Sequence, residues 1–326
     1  MLFFGIDISK LTFDVTVVFE NKPRHKKFKN TPSGFKDFFC FIKSYKSKAY
    51  FCMEATGVYG MNLAQFLVKK HLKTIVTNPY KIKSYTRMHM NRNKTDKADS
   101  FVIACYCKSL YLEEKIEDNI YKPKGKYYQR LQSLVTRLEQ VKTLKNHEVS
   151  HLESTLDIVT IKFINKTIKQ LNRQIKSIEK AIENCVSKDD NISKEVKLLV
   201  SINGISYTTA WAILAYLGDI SLFKNSGQVA SYVGLNPCIE DSGTTVMKKK
   251  LSKMGNKRLR KALYMPAIVA KQYNPILLEF YERLLAKGKP KKVALCAVMR
   301  KLLVLSYGVI KSGIEFDPNY RKEKAN

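Results

Sequence analysis

The sequence predicts an α/β unit followed by helical segments, on three observations. Strand-like runs rich in Phe, Ile and Val fill the first eighty residues. No glycine or proline interrupts residues 127–184. From Ser221 onward the chain reads as helical and very basic. These segments divide the chain into 1–122, a helical arm at 123–190, and a mainly helical part at 191–326.

In the first segment, residues 2–9 and 12–20 read as two strands joined at Ser9-Lys10-Leu11. A third strand is expected near 24–30. Thr31-Pro32-Ser33-Gly34 marks a helix start, and a helix follows to about Tyr45. Residues 49–55 read as a fourth strand. Gly57 opens a helical stretch through Val68, and 73–77 reads as a fifth strand closed by Asn78-Pro79. A helix is expected after Thr95. Three strands, helix, strand, helix, strand, helix is the order of a ribonuclease-H-like or RuvC-like mixed sheet. In such a sheet the first and fourth strands lie side by side.

In the arm, Ile164, Ile168, Leu171, Ile175, Ile178 and Ile182 recur at alternating spacings of four and three, as do Leu131, Leu134, Leu138 and Val141. That is a coiled-coil seam. A single helix over this stretch would reach roughly 90 Å, so a helical hairpin is expected, with no turn residue to mark the fold-back. Its role is read either as a spacer or as a dimerisation arm. Residues 188–194 read as a linker. Residues 198–219 resemble a helix-hairpin-helix, with Gly204 in the turn and Ser206 where a second glycine is common; such a turn offers backbone N–H groups to phosphate.

Lys and Arg total 58 against 28 Asp and Glu, a net charge of +30. The excess implies a polyanionic partner, DNA or RNA first. Lys94, Lys248, Lys249, Lys250, Lys253, Lys257, Arg258 and Arg260 are the candidate backbone-binding residues, most of them in one single-sign cluster. Two basic stretches with interleaved tyrosines, 80–94 and 121–130, suit stacking on unpaired bases. Seven scattered cysteines without a CxxC pair are expected to be reduced thiols of a cytoplasmic protein. No secretory leader is expected from the start MLFFGID. The apolar run 293–310 contains Arg300 and Lys301, so a buried helix rather than a membrane partner is expected.

Four acids carry the chemistry. Asp7 interrupts an apolar strand, which is costly unless the carboxylate is paired or binds a cation. Glu54 ends the fourth strand. Asp96 and Asp99, at i and i+3, share one helix face. Taken singly, Asp7 could be a strand-end residue, Glu54 a surface acid, Asp96 an N-cap and Asp99 a first-turn acid. Asp14 reads as an exposed acid outside the set. Converging carboxylates repel one another unless a divalent ion intervenes. Two Mg²⁺ ions, with Mn²⁺ as the substitute, would act on the attacking and leaving oxygens of a phosphodiester. HEVSH at 147–151 matches a zinc-protease signature but sits in the arm without a third ligand, so it is read as helix surface.

The ordered set GIDISK at 5–10, MEATGVYG at 53–60, Asn78-Pro79, KTDKADS at 94–100, SINGIS at 201–206, YVGLNPCIEDSG at 232–243 and SKMGNKRLRKAL at 252–263 resembles the DEDD transposases of insertion sequences, insertion-sequence family 110. The resemblance implies a RuvC-like catalytic domain with Asp7, Glu54, Asp96 and Asp99 as metal ligands. It implies a C-terminal transposase domain in which Ser242 is the nucleophile that forms a phosphoserine–DNA link. Gly243 beside it permits a tight backbone near a phosphate. The implied partners are donor and target double-stranded DNA, a structured bridge RNA, and further copies forming dimers that pair into tetramers. The implied setting is a bacterial nucleoid. Two other readings stand beside it: a junction resolvase using the acids without Ser242, and a non-catalytic nucleic-acid scaffold.

Overall fold

The computed structural model describes residues 1–18, 23–43, 45, 49–88, 95–242 and 245–319; for residues 58, 239–242 and 245–250 it describes the backbone only. The chain forms two compact units, Met1–Pro123 and Lys124–Asn326.

The first unit is built on β1 (Leu2–Ile8), β2 (Thr12–Val18), β3 (Arg24–Lys29), β4 (Ala49–Glu54) and β5 (Lys73–Thr77), in the spatial order β3-β2-β1-β4-β5. The first three strands pair antiparallel, and β1/β4 and β4/β5 pair parallel. The expected adjacency of the first and fourth strands is therefore found. Strand alternation sends Phe4, Ile6 and Ile8 into one core with α1 (Pro32–Ile42) and α2 (Val58–Lys69). Phe3, Tyr50, Cys52 and Ile75 face the other way, against α3 (Pro79–Met88) and α4 (Asp96–Leu112). Thr31 and Thr95 accept from the N–H groups of Gly34 and Ala98, which fixes the starts of α1 and α4. Helix α3 was not expected. The sequence places it in a basic tyrosine-rich stretch, yet Ile82 is buried and Tyr85 stacks edge-on against Tyr106.

The second unit begins with α5 (Lys126–Ser154) and α6 (Ile158–Val186), two helices packed along each other. The fold-back is at 155–157. Its signal is a cap rather than a breaker: Asp157 accepts from the N–H of Thr160 at 2.7 Å. The stretch read as a linker holds another cap, Asp189, which opens α7 (Asp190–Val200). Helix α8 (Tyr207–Leu217) follows the turn, and Ser206 caps it. Gly204 in that turn has φ +101, and a Cβ there would sit 2.6 Å from the Cβ of Ala270. Its glycine is thus required by packing against a neighbouring helix, whatever the turn binds.

Next come α9 (Ser226–Val233), β6 (Pro237–Ser242), β7 (Thr245–Leu251), α10 (Lys257–Ala262), α11 (Tyr264–Tyr273), α12 (Pro275–Ala286) and α13 (Lys291–Ser312). The β6/β7 hairpin corrects the expectation that everything after Ser221 is helical. The arm is not a body of its own either. Leu131, Val135, Leu138 and Ile182 at its base share one core with Trp211, Leu214, Val298 and Leu302. Helix α13 is long and apolar enough to cross a membrane, but half of that apolar window is buried in this core.

Candidate active site

The site begins with the face of the sheet that α4 covers. Gly5 lies on that face, two residues before Asp7. A Cβ at Gly5 would fall 2.1 Å from the carbonyl oxygen of Ser100 and 2.2 Å from the nitrogen of Ala104, so only glycine lets the helix come this close. A buried hydroxyl pair, Thr16 Oγ1 and Ser100 Oγ at 2.7 Å, ties α4 to β2 as well. The docked helix brings its first turn, with Asp96 and Asp99, toward the end of β1.

Across the sheet, register decides the neighbours. Asp7 lies directly opposite Asp14 in the antiparallel pair, and Asp14 lies opposite Lys27. Glu54 follows Met53, the last residue of β4 paired with β1, and itself pairs with Thr77. Lys27, Asp14, Asp7, Glu54 and Thr77 thus form one row on one face. Burial, then the charges of Asp99, Asp96, Glu54 and Asp14, push the half-buried carboxyl of Asp7 up to about 6. All four expected acids are therefore in one electrostatic neighbourhood.

Asp14 corrects the sequence reading. It is 4% exposed, not a surface acid. Its Oδ1 lies 2.8 Å from His25 Nε2 and its Oδ2 lies 3.2 Å from Lys27 Nζ. The same ammonium reaches Asp96 Oδ2 at 3.3 Å. Lys27 therefore links the helix turn to the sheet. Local sequence held a weak signal for this: two basic residues at period two in β3, His25 and Lys27. Among the described residues no three His, Cys, Asp or Glu side chains stand close enough to hold a metal ion as they are placed. Asp96 is turned to Lys27, and its side chain is 67% exposed. The donor set is all carboxylate, which suits a hard divalent cation, and the mutual repulsion felt by Asp7 is the charge such an ion would offset. The cap of α4 is Thr95, so Asp96 is not held in place as an N-cap.

Ser242 ends β6 in the second unit and pairs with Thr245; only Gly243 and Thr244 separate them in sequence. The ladder is irregular between Glu240 and Ser242. Lys248, Lys249 and Lys250 belong to the returning strand rather than to a helix. The base of this hairpin is held by backbone bonds from Ser252 to Asn236 at 2.9 Å and from Asn256 to Tyr232 at 2.8 Å. Those contacts join two of the motifs that the sequence singled out.

The basic residues divide. Lys253, Lys257 and Arg258 are exposed. Arg260 is committed elsewhere: its guanidinium donates to the Val233 carbonyl at 2.7 Å, at the end of α9. Lys94 lies outside the described residues. In the stretch 121–130, Tyr128 donates to Glu195 at 2.7 Å, and Lys124 donates to the carbonyls of Tyr216 at 2.9 Å and Ala215 at 3.2 Å. These two serve the fold of the second unit, where a nucleic-acid contact had been read. A cleft of about 680 Å³ opens beside the turn at Gly204, lined among others by Ser206, Thr208, Lys142 and Lys261. His147 and His151 are exposed on α5.

Family models match the chain in two segments. Residues 4–161 match the transposase family DEDD_Tnp_IS110. Residues 196–282 match the transposase IS116/IS110/IS902 family. The pilin gene-inverting proteins of Moraxella bovis and Moraxella lacunata are each 31% identical over 321 residues, 97% of this chain and of each relative. An uncharacterized 43.6 kDa protein of insertion element IS110 from Streptomyces coelicolor is 28% identical over 37% of this chain and 30% of its own length. T. thermophilus RuvC in complex with Holliday junction substrate aligns at 10% identity, 35% coverage of this chain and 97% of its own, with a TM-score of 0.28. With matched segments covering both units and a relative similar over nearly the whole length, the chain belongs to the IS116/IS110/IS902 family of transposases.

Proposed function

We propose that the protein is a site-specific DNA recombinase that cuts and rejoins strands with Asp7, Glu54, Asp96 and Asp99 as its metal-binding acids and Ser242 as its nucleophile. The observation that carries the reading is the gathering of acids around Asp7, where burial first, and then the charges of Asp99, Asp96, Glu54 and Asp14, raise one half-buried carboxyl to about 6. The strand order β3-β2-β1-β4-β5 supports a ribonuclease-H-like assignment for this unit. Divalent ions, Mg²⁺ with Mn²⁺ as substitute, would supply charge stabilisation of the attacking and leaving oxygens. Asp7 and Glu54 would hold them from the sheet and Asp96 and Asp99 from the helix, with Asp96 leaving Lys27 to do so.

At Ser242 the Oγ loses its proton, an Oγ–P bond forms, and a P–O bond to deoxyribose breaks as the leaving oxygen takes up a proton. Attack by the hydroxyl of another strand reverses this exchange, so rejoining needs no outside energy source. Lys253, Lys257 and Arg258 would hold the nucleic-acid backbone, as would Lys248, Lys249, Lys250 and Lys94. Donor and target duplexes are the substrates, and the net charge of +30 leaves room for a structured guide RNA besides.

The test is to incubate the protein with cognate DNA and Mg²⁺, trap the covalent adduct, and map it by mass spectrometry. Attachment at Ser242, lost in Ser242→Ala, is the expected result. Cutting that persists in Ser242→Ala favours the hydrolytic resolvase reading instead. Activity unchanged in Asp7→Asn would remove the acids from the reaction.

A further inference from the structure

Helix α4 meets the sheet at a single pair of residues. Gly5 and Thr16 are directly opposite each other in the β1/β2 ladder. Ser100 lies over that pair. Its carbonyl oxygen takes the space that a Cβ on Gly5 would need, and its hydroxyl meets Thr16 Oγ1 at 2.7 Å. Both side chains are buried. Ser100 Oγ donates to the carbonyl of Lys97 at 3.1 Å, so from Thr16 it accepts. Two hydrogen bonds in series therefore run from β2 to a carbonyl that lies between Asp96 and Asp99 in the first turn of α4. The next pair on the same face of the ladder, two residues along, is Asp7 with Asp14. That places the link about 7 Å along the strand from the acids.

Without this link, little would set the rotation of α4. Around Gly5 the helix presents Ser100, Ala104 and Cys107, which are small and buried. Small side chains over a glycine give a close but shallow contact, with few ridges to lock into grooves. Rotation matters because a carboxylate on a helix stands about 6 Å from the axis. Turning α4 by about 10° would move Asp96 and Asp99 by about 1 Å. A functional constellation tolerates about half of that displacement.

Beta-strand β2 holds this turn a second time, through Asp14, Lys27 and Asp96, but the two links differ in kind. Lys27 engages a carboxylate that an ion would need, and both of those side chains are open to solvent. The Thr16–Ser100 bond touches no carboxylate. It fixes the backbone that carries Asp96 and Asp99 and occupies none of their oxygens.

We propose that Thr16 and Ser100 are positioning residues for the metal-binding acids: their buried bond selects the one rotation of α4 at which Asp96 and Asp99 serve the same ions as Asp7 and Glu54. The inference rests on the role proposed above for those four acids. It adds two residues that touch neither metal nor DNA.

The experiment is a Mn²⁺ titration of the full chain freed of nucleic acid, followed by water-proton relaxation, with the melting temperature of each metal-free protein measured beside it. Thr16→Val keeps the shape and leaves Ser100 its bond to Lys97. The double variant Thr16→Val, Ser100→Ala removes both partners, a change that is nearly neutral for stability. Both are expected to melt within a few degrees of wild type and to bind Mn²⁺ about tenfold more weakly. Thr16→Ser restores the donor and should keep the wild-type affinity. If the double variant does not fold, Thr16→Val against Thr16→Ser decides. Asp7→Asn is the control. Wild-type affinity in the two hydroxyl-free variants, while Asp7→Asn binds weakly, overturns the positioning role and leaves the acids standing. Affinity that falls only in step with the melting temperature, with no recovery in Thr16→Ser, reduces the pair to a packing contact and overturns the role as well. Unchanged binding in Asp7→Asn overturns the assignment of the acids and this inference together.

Discussion

Replacing Asp7 by Asn should make the first unit more stable at neutral pH while ending its response to metal. The carboxyl of Asp7 stands at about 6 against an ordinary 3.8. A shift of about two units corresponds to roughly 3 kcal/mol between the two protonation states. Asp7 is only half-buried, so solvent screening reduces this to about 1.5 kcal/mol. The sign follows from proton counting. Between pH 3.8 and about 6 the folded chain binds more of this proton than the unfolded chain, so stability falls as pH rises through that window and stays low above it. Asparagine keeps the size and removes the charge. Asp7→Asn should raise the melting temperature of the first unit by about 5 °C at pH 8 and by almost nothing at pH 3.5. Mg²⁺ should raise the melting temperature of wild type at pH 8 and leave the variant unmoved. Differential scanning calorimetry at both pH values, with and without Mg²⁺, measures all of this. A variant less stable than wild type at pH 8, or equally stabilised at both pH values, would refute the account of the acid row.

Lys27→Met should strengthen Mn²⁺ binding several-fold by paramagnetic titration while Lys27→Arg keeps the wild-type affinity, because the ammonium that holds Asp96 Oδ2 at 3.3 Å must release it before that carboxylate can reach an ion; equal affinities in all three proteins would show that the lysine does not compete for Asp96. Lys124→Met should cost the second unit about 1–3 kcal/mol in urea denaturation, since the carbonyls of Ala215 and Tyr216 lose a donor. Burial also holds the Lys124 ammonium down to about 8, so the unfolded chain binds that proton more tightly. Wild type should therefore gain stability from this group between pH 8 and about 10, a gain that the Met variant lacks; parallel pH profiles for the two would contradict it.

Much of the site was legible in the order of residues. Asp7 between Ile6 and Ile8 announces itself because an acid in an apolar strand needs a partner. Runs rich in Phe, Ile and Val located the first strands, and alternating spacings of three and four located the two-helix arm, since that period is fixed by helix geometry alone. What stayed hidden was whatever depended on a residue far along the chain. Asp14 looked exposed by alternation, yet the antiparallel register sets it against Asp7, and His25 and Lys27 from the next strand satisfy it under the edge of α4. The tyrosine and lysine of 121–130 looked like a nucleic-acid contact until Glu195 and the end of α8 claimed them, and Arg260 went to the end of α9 in the same way. Ser242 read as part of a helical region, because six residues of strand need a second strand to pair with before they can be told from loop or helix. The sequence by itself determined which acids and which apolar faces exist, for these follow from side-chain chemistry and local period. Only the tertiary structure decided which charges meet and which stripes stay uncovered, because burial and pairing are properties of neighbours that the chain brings together from a distance.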